Sequence, residues 1–369
     1  MSFGPGLRYR GQNSGSLSSC TCRSRRDVLA GLGAMGATAA FWAPAAGQPA
    51  SPATRTIDVH HHLYPPRYLA DNFTHIVKDI GPVAASIATK WSPDNAIEKM
   101  DRAGVATVVN SMTSPGVWFD DGETGRTTAR VCNEFGAELI RDFPGRFGMF
   151  AAIPLPDADG SLREIEYGLD VLKLDGIGLL TSYAGRLLGD PMFTPAFDEL
   201  NRRRAVVFVH PTMSCCGNLS PGIIPPTLEL PMDTTRAIAS LLIGGSFARY
   251  PDIRFIFSHG GGVLLSVVNR ISRQAEAMKP EEKAVKLPRG PQYELERQYY
   301  DVAAIGLNPA GMTGLRRLFP VSQLLYGSDE PNYSSAETVS SLQQLGFSAA
   351  ELQAIQRDNA SRLLPRLKT

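Results

Sequence analysis

No stretch of this 369-residue chain carries a block of like charges, and its formal net charge is +1. Nucleic-acid binders usually show a basic face or tail, so no nucleic-acid partner is expected. No apolar run reaches the ~20 residues a membrane-spanning helix needs, so no stable membrane anchor is expected. Cysteine is scarce, with 5 in all. Cys215 and Cys216 are neighbours, which rarely bridge without strain, so no disulfide framework is expected. These two read as small loop residues, and Cys132 as core on a helix. No G-x-G-x-x-G follows the first apolar run, which argues against a dinucleotide-binding turn. There is no internal repeat. Histidine is rare too, with 6 residues, and their placement is the most informative feature of the chain.

The N-terminal segment has the order of an export leader. Ser24-Arg25-Arg26-Asp27-Val28-Leu29 resembles the twin-arginine consensus, a short Ala/Gly-rich apolar stretch follows to about Trp42, and Ala43-Pro44-Ala45 resembles a cleavage site. Residues 1–47 are therefore read as a signal peptide, 48–55 as a Pro/Ala/Ser-rich linker, and 56–369 as the catalytic domain. The expectation is export by the twin-arginine route to the periplasm, after folding and metal loading in the cytoplasm.

From Thr56 onward, short β-branched runs alternate with amphipathic stretches. Strands are expected at Thr56–His60, Ala106–Asn110, Phe147–Ile153, Gly176–Leu180, Val206–His210, Ile253–Ser258, Tyr299–Val302 and Gln323–Tyr326. Helical patterns separate them. Eight such units point to a closed parallel (β/α)8 TIM-like barrel, with a doubly wound sheet as the alternative. Tyr64–Trp91 shows no clear helical period and is expected to cap the barrel mouth. Lys279–Arg297, charged and broken by prolines, is expected on the surface.

Five of the six histidines fall at the C-terminal end of an expected strand, the end that bears the active site in barrels of this kind. His60 and His62 are two apart on a strand, so both face one side and can share a metal, while His61 faces away. His210 closes the apolar run Val206-Val207-Phe208-Val209. His259 closes Phe255-Ile256-Phe257-Ser258 and precedes three glycines, a place for an acid, base or polarising group. Asp329 follows Leu324-Leu325-Tyr326-Gly327-Ser328 and completes a three-histidine, one-carboxylate set. That donor set suits one divalent cation: zinc is favoured, and manganese or iron would also fit. The fourth expected strand ends in Leu179-Leu180-Thr181-Ser182, without a lysine to bridge a second ion.

Together these motifs resemble the amidohydrolase-related family that contains aminocarboxymuconate-semialdehyde decarboxylase. The matching pieces are Ile57-Asp58-Val59-His60-His61-His62 with Pro65, Phe208-Val209-His210-Pro211, Ser258-His259-Gly260-Gly261-Gly262, Tyr326-Gly327-Ser328-Asp329, and Asn359-Ala360 with Leu363-Leu364. Leu230–Thr235, Gly244–Phe247 and Asn269-Arg270 extend the likeness to the decarboxylase branch. The resemblance implies His60, His62, His210 and Asp329 as metal ligands, with His259 and Asp329 catalytic. It also implies that Arg270 reaches a neighbouring subunit's site in a homodimer, to hold a substrate carboxylate. Two departures stand out. The family's second carboxylate-binding arginine is missing near Trp91, where Lys90 is the one cation, and Thr212 stands where the family has a tryptophan.

The reading that follows is a metal-dependent non-oxidative decarboxylase of an unsaturated or aromatic carboxylic acid. The departures favour a small monocarboxylate of hydroxybenzoate type over a dicarboxylate. The alternative is a hydrolase or hydratase using the same residues on a lactone, amide or double bond.

Overall fold

The structure, a computed structural model, describes residues 56–213 and 222–367. The expected leader, the linker, Cys215 and Cys216 lie outside the described residues. Among the described residues no helix is long and apolar enough to cross a membrane.

Eight parallel strands form one sheet in sequence order. They are β1 (Thr56–His62), β2 (Val105–Ser111), β3 (Phe147–Ala152), β4 (Gly176–Leu180), β5 (Val206–His210), β6 (Arg254–Phe257), β7 (Tyr299–Asp301) and β8 (Leu324–Leu325). The sheet closes on itself: Val59 N donates to Tyr326 O at 3.0 Å and His62 N to Glu330 O at 2.9 Å. Closure leaves no strand edge unpaired, and the result is a (β/α)8 barrel. A small antiparallel pair, Ser182–Tyr183 with Arg186–Leu187, follows β4.

The strands are buried on both faces, which explains their near-continuous apolar runs. On β5, Val207 and Val209 join the outer core against the helices, while Val206 and Phe208 join the inner core. Alternation then turns His210 inward at the barrel mouth. Strand β1 departs from this rule. Ile57 and Val59 belong to the inner core, so strict alternation would turn His60 and His62 outward. The β1–β2 register breaks between Asp58 and His61, and such an irregularity re-aims the residues beyond it. At the opposite end of the barrel, Ala360, Leu363, Leu364 and Leu367 of the C-terminal segment complete the inner core. Asn359 Nδ2 ties that segment to Leu324 O at 2.7 Å.

Helix starts follow sequence signals. Ser92, Asp121, Asp157 and Ser334 cap their helices by accepting a backbone N–H. One expectation is corrected: the segment after β1 is helical over Pro66–Ala88, broken at Gly81 (φ 82°) before Pro82. Its buried stripe runs Tyr68, Asn72, Ile76, and a polar residue in the middle of the stripe hid the helical period. Tyr68 Oη donates to Gly116 O at 2.8 Å, which ties this helix to the loop after β2 at the barrel mouth. The charged segment expected on the surface forms two short helices, Pro280–Lys286 and Pro291–Glu296, the first with no buried residue.

Candidate metal centre

His60, His62, His210 and Asp329 converge, with one potential ligand atom from each lying within 4.8 Å of all the others. All four are buried. His60 Nε2 is 3.3 Å from His62 Nε2. Asp329 Oδ1 lies 3.0 Å from His62 Nε2 and 3.4 Å from His60 Nε2. The His210 ring meets the His62 ring edge-on, with centroids 4.6 Å apart.

Each imidazole is oriented by an acceptor at Nδ1. His60 Nδ1 faces Asp301 Oδ2 at 2.8 Å, His62 Nδ1 faces Ser111 O at 3.2 Å, and His210 Nδ1 faces Pro211 O at 2.8 Å. With the proton on Nδ1, three Nε2 lone pairs and a carboxylate oxygen point at one another. That is a poor arrangement for the bare protein and a good one for a divalent cation. The donor set therefore fits the metal that the sequence implied.

Electrostatics agree with this. Burial pushes His62 below the ordinary imidazole value and His210 well below it, so both favour the neutral, ligating form. At His60 burial works the same way, but the Asp301 and Asp329 carboxylates outweigh it and raise the group to about 10. The pull they exert on a proton is available to a cation. Asp329 is held well below the usual carboxylate range: burial opposes this, and His60 and the hydrogen bonds from the histidines overcome it.

His259 stands at the edge of this set. Its Nε2 is 3.1 Å from Asp329 Oδ2, on the oxygen opposite the one that faces His60 and His62. Both residues have left-handed backbones, His259 at φ 55° and Asp329 at φ 65°, a conformation uncommon outside glycine and typical of tightly held functional turns. Backbone bonds hold them: His259 N donates to Asp301 Oδ1 at 2.9 Å, and Asp329 N to His60 O at 2.8 Å. The glycine turn after His259 is needed sterically, since a Cβ on Gly262 (φ 71°) would lie 2.0 Å from Pro231 O.

The other singled-out residues fall elsewhere. His61 faces away from the set and pairs with Asn110 Oδ1 at 2.9 Å, and burial lowers it to about 3. Lys90 and Trp91 line a cavity behind β1 with His61, Lys99 and Glu330. Thr212 lies beside Ser114, with the two hydroxyl oxygens 2.8 Å apart. His75 stacks on Phe119, on the helix after β1. Cys132 is buried. Arg270 is exposed on the helix Leu264–Glu276 and makes no hydrogen bond or ion pair among the described residues.

Sequence reasoning missed three supporting residues. Asp301 holds His60, as described. Asp58, raised by burial to about 7, accepts Ser328 Oγ at 2.5 Å and His60 N at 2.9 Å. Asp301 had a visible signal, a carboxylate at the C-terminal end of an expected strand. The pairing of Asp58 with Ser328, 270 positions apart, had none.

Decarboxylase yanB of Aspergillus niger is 33% identical over 332 residues, covering 85% of this chain and 88% of that protein. The 6-methylsalicylic acid decarboxylase acuB of Aspergillus aculeatus is 32% identical over 325 residues, covering 85% and 96%. In fold, the chain is similar to a dihydroxybenzoic acid decarboxylase from Polaromonas sp. JS666, solved with bound manganese and the inhibitor 2-nitroresorcinol. The TM-score is 0.73 at 20% identity, over 85% of this chain and 98% of that one. The family model described as Amidohydrolase matches residues 57–366, the whole barrel and every residue of the metal set, and the chain belongs to that family.

Proposed function

We propose that this protein is a metal-dependent, non-oxidative decarboxylase of an aromatic monocarboxylic acid of hydroxybenzoate type. One observation carries the reading most: the 3.1 Å contact between His259 and Asp329, which sets an imidazole against a carboxylate of the metal set. The reaction replaces the carboxylate of the acid by hydrogen. One proton is delivered to the ring carbon that bears the carboxylate, the bond from that carbon to the carboxylate breaks, and its electron pair restores the ring as CO2 leaves. Asp329 and His259 hold and move that proton, a role worth about 10²–10⁴ in rate. When bound by His60, His62, His210 and Asp329, a divalent cation supplies fixed positive charge that orients the substrate's carboxylate or hydroxyl and offsets developing negative charge. Three nitrogens and one oxygen favour zinc, and metal analysis of the purified protein distinguishes it from manganese.

The monocarboxylate preference rests on what surrounds the centre. Thr212, which pairs its hydroxyl with that of Ser114, is small and polar where the resembled family has a tryptophan, and Lys90 lines the cavity behind β1. The decarboxylase names of the relatives from Aspergillus niger and Aspergillus aculeatus favour the same reaction. The exposed Arg270 suits a homodimer in which it supplies the substrate's carboxylate contact to the partner's site. Residues 1–47 are proposed as a twin-arginine leader for periplasmic export, 48–55 as a linker, and 56–369 as the catalytic domain.

The test is CO2 release by the metal-loaded protein on a panel of hydroxybenzoates and muconate-like acids, with His60→Ala as control. Release by the parent alone is expected. Bound metal without CO2 from any acid would overturn the reading in favour of hydrolysis or hydration.

A further inference from the structure

The three histidines of the metal set are not oriented alike. His62 and His210 lean on backbone carbonyls, Ser111 O and Pro211 O, whereas His60 leans on a carboxylate. That carboxylate, Asp301, is fully buried and has a divided task. Its Oδ2 takes the Nδ1–H of His60 at 2.8 Å. Its Oδ1 takes the backbone N–H of His259 at 2.9 Å and that of Ala303 at 3.0 Å. The first contact fixes the tautomer and direction of a metal ligand. The second pins the backbone of His259 in a left-handed conformation (φ 55°) that is uncommon outside glycine.

A second observation shows that the fold is built around this carboxylate. The chain leaving β8 passes His60 and Asp301 at Gly327. A Cβ there would lie 2.9 Å from Asp301 Cβ and 2.9 Å from His60 Cβ. Any larger residue would push apart the two groups whose hydrogen bond orients the ligand.

We propose that Asp301 is a positioning residue that couples the metal ligand His60 to the placement of His259, so that ligand geometry and proton donor are set by one side chain. Its effect on turnover rests on the decarboxylase reading. Its effects on metal affinity and on His259 do not.

The experiment compares the parent with Asp301→Asn, which keeps the shape but presents an NH2 to one of the two donors. Zinc affinity is measured by chelator competition, and the histidine ring resonances are followed by 15N NMR of the zinc-loaded protein, which the small number of histidines permits. Zinc affinity should fall about 10–100-fold, as is usual when the partner of a metal-bound histidine is lost. The His259 resonances should shift with those of His60, while those of His62 and His210 hold. At saturating zinc, kcat should fall with little change in KM. Parent zinc affinity in Asp301→Asn, or an unmoved His259, overturns the coupling, as does a change confined to the unfolding midpoint. If Asp301→Asn does not fold, Gly327→Ala takes the same measurements with the carboxylate intact. Weakened zinc binding and a shifted His259 are expected there too, and unchanged values overturn the proposal. Absence of CO2 from the parent, with these two effects present, would refute the decarboxylase reading alone.

Discussion

Replacing His259 by asparagine should remove most turnover while leaving metal and fold in place. The backbone tolerates the change, since asparagine is among the residues enriched at positive φ, and His259 sits at φ 55°. Among the described residues the side chain makes one hydrogen bond, 3.1 Å to Asp329 Oδ2, and its Nδ1 has no partner. Losing a single bond to a charged group costs about 1.5–3 kcal/mol of stability at most. His259 is outside the converging ligand set, so the metal should remain. The chemical step is affected differently. An amide cannot carry a proton near neutral pH, so the acid–base contribution of about 10²–10⁴ should disappear. At about 1.36 kcal/mol per tenfold, that raises the barrier by about 2.7–5.4 kcal/mol. The assay pairs CO2 release at saturating acid with metal content per chain. A variant with full metal and turnover within tenfold of the parent would refute the role given to His259.

Phe208→Ala should destabilise the barrel by about 3–5 kcal/mol, because Phe208 is buried, stacks on Phe150 at 5.4 Å and meets the His60 ring at 5.0 Å. Denaturant unfolding measures this, and a loss below about 1 kcal/mol would contradict the packing described. Gly262→Ala should displace the His259 turn and cut turnover, since its Cβ would collide with Pro231 O; parent-like kinetics would show the turn to be adaptable. Chelation should lower the unfolding midpoint, because a cation at 100 times its Kd stabilises by about 2.7 kcal/mol, and an unchanged midpoint would mean that no cation is held. Glu199 is held down at about 2, chiefly by its hydrogen bond from Arg202, with burial opposing and Arg203 assisting. A depressed carboxyl stabilises above its unfolded pKa of about 4.3 and loses that contribution as pH falls. Glu199→Gln should therefore cost about 1 kcal/mol at pH 7, after allowance for solvent screening, and less at each step below about pH 4. A gap that persists in acid would point to packing instead.

Much of this protein is legible in its sequence, for local reasons. Buried parallel strands need unbroken apolar runs, so all eight can be placed to within about two residues. Rare histidines at strand ends mark the centre, because few other residue types bind borderline cations. The helix Pro66–Ala88 escaped because its buried stripe includes Asn72, whose amide is satisfied by Tyr68 O at 3.1 Å; periodicity counts apolar residues and cannot see a satisfied polar one.

The chain order of strands and histidines therefore pointed to the barrel and to the strand ends where His60, His62, His210 and Asp329 converge with His259 beside them. Tertiary structure alone decided how they work together. A break in the β1 register turns His60 and His62 to the mouth. Asp301 meets His60 from 241 positions away, and Ser328 meets Asp58 from 270. These contacts depend on barrel closure, which joins the first strand to the last. No local pattern encodes them, because the energy that selects them exists only after the chain has closed into a ring.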